Sequence, residues 1–149
     1  MINPISSLES PHVPVMLDEV IKICSPGKGG NYIDCTFGGG SYSKKILQFP
    51  ETNVIALDRD KSVSNYAKDI KKQHPTRFKF YQTKFSEVDS VINNKLADAV
   101  VFDLGLSSIQ LNDFERGFSF KSKKKLDMSM GLSSTSAEYV INNFSEKNL

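Results

Sequence analysis

Three adjacent glycines, Gly38, Gly39 and Gly40, and two aspartates that each close an apolar run, Asp58 and Asp103, are the residues here whose type and spacing could do chemistry. Glycines at the first turn of a parallel sheet let a ligand approach the backbone, and an acid ending the next strand can grip ribose hydroxyls. Together they imply a pocket for a nucleoside-containing cofactor. A plain flexible turn is the alternative for any isolated glycine cluster. The context favours the pocket: residues 32–37 read as a short buried strand, Ser41 can cap a following helix, and Val54, Ile55, Ala56 and Leu57 form a second apolar strand before Asp58.

The spacing argues against a dinucleotide, since G-x-G-x-x-G would need glycine where Ser43 stands. A pyrophosphate also wants the helix N-terminus close by, and here the bulky Tyr42 occupies it, followed by Lys44 and Lys45. S-adenosylmethionine carries no phosphate. It needs a glycine loop for its amino-acid end and a carboxylate for its ribose, which suits this loop better.

Asp103 leads into Leu104, Gly105, Leu106, Ser107 and Ser108 at the carboxyl edge, where open α/β sheets bind ligands. An acid, a glycine and two serines there form a plausible reaction loop; the alternative is that Asp103 caps a turn and Ser107 or Ser108 starts a helix. Methyl transfer from a sulfonium to an exocyclic amine is an in-line displacement that needs alignment and exclusion of water, and no metal. An acceptor holding the amine proton would concentrate electron density on nitrogen, a task for Asp103 or a backbone carbonyl beside it.

The elements that must position these residues alternate along the chain. Residues 1–11 read as a loose polar arm. A helix is expected over residues 15–24, with Pro14 at its first position and Met16, Val20, Ile23 and Cys24 on one face, before a break at residues 25–30. Residues 61–73 form a second amphipathic helix with Val63, Tyr66, Ala67 and Ile70 inward. Residues 77–83 and 98–103 read as further strands, with a short helix over 86–94 between them. The fold class is α/β, a parallel sheet with right-handed crossovers and strand order 3-2-1-4. That order leaves an apolar fourth strand at an open edge. Past Leu104 no strand alternation follows and residues 136–143 resemble a helix start, so the domain reads as incomplete.

Length and composition set the frame. The 149 residues, 39% hydrophobic, suffice for one ordinary domain with a core. A net charge of +2 is too mild to indicate nucleic-acid binding by itself. Cys24 and Cys35 lack paired spacing, so neither a metal site nor a disulfide is expected. No apolar run nears the ~20 residues of a membrane span and no signal peptide is evident, which makes a cytoplasmic protein the simplest reading.

Several motifs, in order, resemble the bacterial small-subunit (16S) ribosomal RNA cytosine-N4 methyltransferase family. They are His12 with Val13 to Glu19, then Asp34-Cys35-Thr36-Phe37-Gly38-Gly39-Gly40, Asp58-Arg59-Asp60, the loop from Asp103 to Leu111, Arg116-Gly117-Phe118-Ser119-Phe120, and Leu126-Asp127-Met128. The resemblance spans residues 12–149, as the N-terminal part of such an enzyme. It implies a Rossmann-like methyltransferase core with S-adenosylmethionine as cofactor: residues 12–113 would be its N-terminal half, and residues 114–149 the truncated start of a helical substrate-binding insertion. It places methionine-end contacts on Gly40, Ser41 and Tyr42, the ribose contact on Asp58, adenine-side contacts near Phe85, and Asp103 and Gln110 in the remaining cofactor shell, Asp103 being also the catalytic candidate. Without the resemblance, Phe85 could be only core, Gln110 only a turn cap and Tyr42 only packing. Two positions depart from the pattern, Ser41 where the family usually has glycine and Ser129 where it usually has arginine.

The implied partner is small-subunit ribosomal RNA, with Lys121, Lys123, Lys124 and Lys125 as a positive segment and Phe118 and Phe120 free to stack on a base. Dimerisation or complementation through the exposed fourth strand is expected of an incomplete sheet, with weak or no activity in the chain alone. The alternative function is a non-catalytic nucleotide-binding or regulatory module built on the same half-sheet.

Overall fold

The computed structural model describes residue 14 and residues 16–93, 96–132 and 135–149. The expected arm over residues 1–11 lies outside these, as do His12, Val13 and Val15 of the N-terminal motif.

Four strands, β1 (Gly30–Asp34), β2 (Thr52–Asp58), β3 (Phe78–Gln82) and β4 (Ala99–Val101), pair in parallel in the order β3-β2-β1-β4. The helices are α1 (Leu17–Cys24), α2 (Ser41–Leu47), α3 (Ser64–Gln73), α4 (Val88–Ile92), α5 (Ser108–Asn112) and α6 (Ala137–Asn143). Because parallel crossovers are right-handed, the steps from β1 outward to β3 put α2 and α3 on one face. The return from β3 to β4, on the far side of β1, carries α4 to the other. Side-chain alternation follows: Tyr32, Val54, Ala56 and Phe78 meet Ile46, Leu47, Ala67, Ile70 and Ile21 on the first face. Ile33, Cys35 and Leu57 meet Val88, Val91 and Ile92 on the second.

The strand order and the inward stripe of α3 follow the expectation. Val63, Ala67 and Ile70 are buried, though Val63 belongs to a 3-10 turn before the helix. α1 differs. It begins at Leu17, after Met16 in the left-handed region (φ 64°), and packs Leu17, Ile21 and Cys24 inward while Met16 and Ile23 are 59% and 82% exposed. The stripes 16-20-23 and 17-21-24 are both apolar at helical spacing, so periodicity alone cannot choose between them.

β4 is only three residues long and pairs with β1 alone, leaving its other edge open with Val100 and Phe102 about half exposed. Its start is fixed by Asp98, whose carboxylate accepts from the Asn31 amide at 2.7 Å and lies over Gly30, where a Cβ would meet it at 2.4 Å. No helix among the described residues is long and apolar enough to cross a membrane.

The opposite end of the sheet is tied by one side chain. Arg77 donates to the carbonyls of Leu47 (3.0 Å), Phe49 (2.9 Å) and Thr52 (3.1 Å), closing the C-terminus of α2 and the turn into β2. A forked cation is well matched to several carbonyls gathered at a helix end and the turn after it. Arg77→Ala is therefore expected to lower the unfolding free energy by about 2–3 kcal/mol in urea denaturation, with Arg77→Lys recovering less than half.

Candidate active site

The chain leaves β1 into a loop that must cross the sheet edge without filling it. Phe37 anchors this loop in the core, 3% exposed, with its ring 5.9 Å from Phe78 and 5.2 Å from Phe80. Three residues later the backbone turns back over that ring. Gly40 has φ +78°, and a Cβ there would sit 2.8 Å from the Phe37 ring and from Ile70 Cδ1. Only glycine combines that left-handed conformation with so close an approach. Gly40 is also the N-cap of α2, so Ser41 is its first helical residue and not its cap, as the sequence had suggested.

A cleft of about 710 Å³ opens at the carboxyl edge, between this loop, the ends of β2 and β3, and the segment after β4. Asp58 and Asp103 both line it, together with Gly38, Gly39, Ser41, Tyr42, Phe85 and Gln110. Gly40 is absent from the wall: its α-carbon faces the core, and its contribution is the backbone course of the loop.

Each Asp58 oxygen accepts one backbone bond, Oδ2 from the Gly38 amide and Oδ1 from the Asp60 amide, both at 2.8 Å. Burial raises its pKa, and those two amides oppose the rise. Each oxygen keeps a lone pair for a further donor, which is what a vicinal diol offers. Asp103 is held through its amide, which donates to Thr36 Oγ1 at 2.7 Å, leaving its carboxylate exposed on the cleft wall. Tyr42 is buried. Burial, then the charges of Asp103 and Asp34 and a hydrogen bond to Asp103, push its phenol above the ordinary range. Phe85 is 44% exposed and meets Phe102 edge to face at 5.6 Å.

Gln110 is committed on both ends. Its Oε1 accepts from the Ser107 amide (3.0 Å) and its Nε2 donates to Asp60 Oδ2 (2.8 Å), while Ser107 Oγ accepts the Gln110 amide to complete a capping box on α5. Ser107 thus does start a helix, and the loop lines the cleft as well. Two buried donors on the wall, Arg59 Nε and Ser108 Oγ, have no partner among the described residues.

Sequence reasoning missed the centre of this arrangement. Asp60, 1% exposed, receives Arg116 Nη2 at 2.7 Å and Nη1 at 3.2 Å, Gln110 at 2.8 Å and the Ser62 amide at 3.0 Å. Burial alone would raise its pKa, yet the bonds from Arg116, Gln110 and Ser62 outweigh burial and hold it below the ordinary carboxylate range. Arg116 also donates to the Ser129 carbonyl at 2.8 Å, so position 129 serves the site here through its backbone. Asp34, beneath the loop, is fully buried and takes Ser43 Oγ at 2.7 Å. The only sequence signal for either acid was its place in a quoted motif.

A parallel sheet wound both ways from β1, with a glycine loop and two strand-end carboxylates around one cleft, defines an α/β domain of the nucleoside-binding kind. The chain belongs to the MraW methylase family, whose model matches residues 9–149. It is 44% identical over 142 residues to the ribosomal RNA small subunit methyltransferase H of Rickettsia bellii (strain OSU 85-389), covering 95% of this chain and 47% of that one. The namesake proteins of Rickettsia akari (strain Hartford) and Ehrlichia ruminantium (strain Welgevonden) are 45% and 42% identical, over 93% and 91% of this chain and 45% and 46% of theirs. The chain therefore spans about half the length of the curated relatives it matches. A solved coclaurine N-methyltransferase, bound to N-methylheliamine and SAH, overlaps 46% of this chain and 20% of its own at 15% identity and a TM-score of 0.41, too slight a likeness to carry an argument.

Two outcomes test the electrostatics. Asp60→Asn leaves the Arg116 cation without its counter-charge, and a loss of about 3–5 kcal/mol in chemical unfolding is expected. Burial lifts the Asp34 pKa to about 6 from 3.8, so the native chain holds a proton that the unfolded chain releases between those values. Stability contributed by Asp34 accordingly falls as pH rises through that window. From pH 4 to pH 7 the urea stability of wild type should drop by about 2 kcal/mol relative to Asp34→Asn; a constant difference would show that Asp34 ionises normally.

Proposed function

We propose that this chain carries the cofactor-binding half of an S-adenosylmethionine-dependent methyltransferase acting on the exocyclic N4 of a cytidine in small-subunit ribosomal RNA. The observation that supports it most is the convergence of Asp58 and Asp103 on one cleft beside Gly38 and Gly39. A volume of about 710 Å³ suits a ligand of nucleoside size, and the unpartnered Arg59 Nε and Ser108 Oγ are donors such a ligand could satisfy. When bound, S-adenosylmethionine supplies an electrophilic methyl carbon on a sulfonium. Asp58 takes the ribose diol on its remaining lone pairs, Phe85 flanks the adenine, and Ser41 and Tyr42 border the methionine end.

Asp103 then faces the acceptor. Its carboxylate would accept a hydrogen bond from the N4 amine and take that proton, the methyl passing from sulfur to nitrogen as the S–C bond breaks and S-adenosylhomocysteine leaves. Asp103 is fixed for this by the Thr36 bond and the Tyr42 phenol. Gln110 acts by holding the loop that carries Ser107 and Ser108. Residues 12–113 form the cofactor half in this reading and residues 114–149 the start of the substrate-binding part. The open edge of β4 is where further strands would complete the sheet.

Calorimetric titration with S-adenosylmethionine is expected to show binding weaker than that of the full-length Rickettsia bellii relative, with a further loss of tenfold or more in Asp58→Ala, about 1.4 kcal/mol for the lost diol contact. Indifference to Asp58→Ala would reject the reading, whereas binding as tight as the full-length relative's would reject only the expected weakening. Competition by a nicotinamide dinucleotide for the same cleft would instead favour a nucleotide-binding module without methyl transfer.

A further inference from the structure

The segment after α5 returns to the cleft wall at Met130, and between those points it makes a turn whose side chains play no part in the cleft. Phe120 on that turn is fully exposed, at 112% of the reference accessibility. A large apolar ring normally finds cover. Here the turn itself holds it out: the Ser122 amide donates to the Ser119 carbonyl (2.9 Å), the Lys121 amide to Ser119 Oγ (3.2 Å), the Lys124 amide to Ser122 Oγ (3.3 Å), and Ser122 Oγ to the Phe114 carbonyl (2.5 Å). Phe118, expected to share a stacking role, is only 8% exposed and lies under the Arg116 guanidinium at 5.0 Å, so it belongs to the interior.

Exposed lysines follow the ring closely in sequence. Lys124 pairs with Glu115 at 3.3 Å, whereas Lys121, Lys123 and Lys125 make no ion pair among the described residues. An outward aromatic face followed by unpaired cations matches single-stranded nucleic acid, whose bases stack on the ring while phosphates meet the lysines. A duplex hides its base faces and gains only the charge. The turn is also rooted at the cleft, since the Arg116 side chain holds Asp60 and its carbonyl accepts the Met128 amide at 2.8 Å.

We propose that residues 119–125 form a docking element for single-stranded RNA, in which Phe120 stacks on an unpaired base and Lys121, Lys123 and Lys125 hold flanking phosphates, next to the nucleotide in the cleft. This rests on the RNA-methyltransferase reading and names a substrate contact for it. The probe is a fluorescein-labelled single-stranded RNA of roughly 12 nucleotides, titrated with the full chain and read by fluorescence anisotropy. Phe120→Ala is expected to weaken binding about 5- to 100-fold, with Phe120→Trp near wild type. Joint replacement of Lys121, Lys123 and Lys125 by Gln should reduce the slope of log affinity against log salt by about 2. The same RNA annealed to its complement should bind more weakly and ignore Phe120→Ala.

Unchanged single-strand affinity in Phe120→Ala, or equal affinity for the duplex, overturns the proposal. Calorimetry with S-adenosylhomocysteine on the same variants separates the two readings: loss of RNA binding with cofactor binding intact tests the turn, whereas a wild-type chain that binds no cofactor defeats the methyltransferase reading itself. Circular dichroism melts unchanged in Phe120→Ala confirm that its effect is not unfolding.

Discussion

The Asp60 carboxylate is the constraint on which the rest of the site depends. Taking a charged carboxyl out of water costs several kcal/mol, and only a full set of donors offsets that cost. Asp60 has one: two guanidinium bonds, a side-chain amide and a backbone amide. Those donors come from Arg116, Gln110 and Ser62, so satisfying one buried charge brings together the end of β2, the start of α5 and the segment that follows it. Loss of any one donor leaves the others holding a desolvated charge, which couples the segment carrying Gln110 and Arg116 to the end of β2.

The neighbouring acids show how one sheet edge sets different roles for the same side chain. Asp34 is sealed beneath the glycine loop and pushed up to about 6 by burial. Asp58 is also raised by burial, with the Asp60 and Gly38 amides opposing the rise. Asp103 remains exposed and reaches the cleft with its carboxylate, held in place by Thr36 and Tyr42. A sealed acid, an acid satisfied by backbone amides and an exposed acid thus differ by environment alone.

The two faces of the sheet are unequal. One is covered by α1, α2 and α3 around Tyr32, Ile46, Val54, Ile70 and Phe78; the other has only α4 over Ile33, Cys35, Ile55 and Leu57. The thin side adjoins the open edge of β4, where Val100, Phe102 and Leu104 meet solvent. An unpaired strand edge with apolar side chains is poised to accept further strands. That geometry agrees with a chain that spans about half the length of its relatives.

The amino-acid sequence by itself determined the strand order, the glycine loop between β1 and α2, and the placement of Asp58 at the end of β2, with Asp103 two residues past the end of β4. These follow from local periodicity and from crossover handedness, which act over neighbouring residues. Only the tertiary structure decided which stripe of α1 faces inward, since two equivalent apolar stripes compete there. It alone showed that Gly40 faces the core, that Phe118 is buried while Phe120 is not, and that Asp60 pairs with Arg116 across 56 positions. The reason is physical: periodicity states that a side chain is apolar or charged, whereas which of two similar side chains is covered depends on long-range packing and on where a buried charge can find its donors.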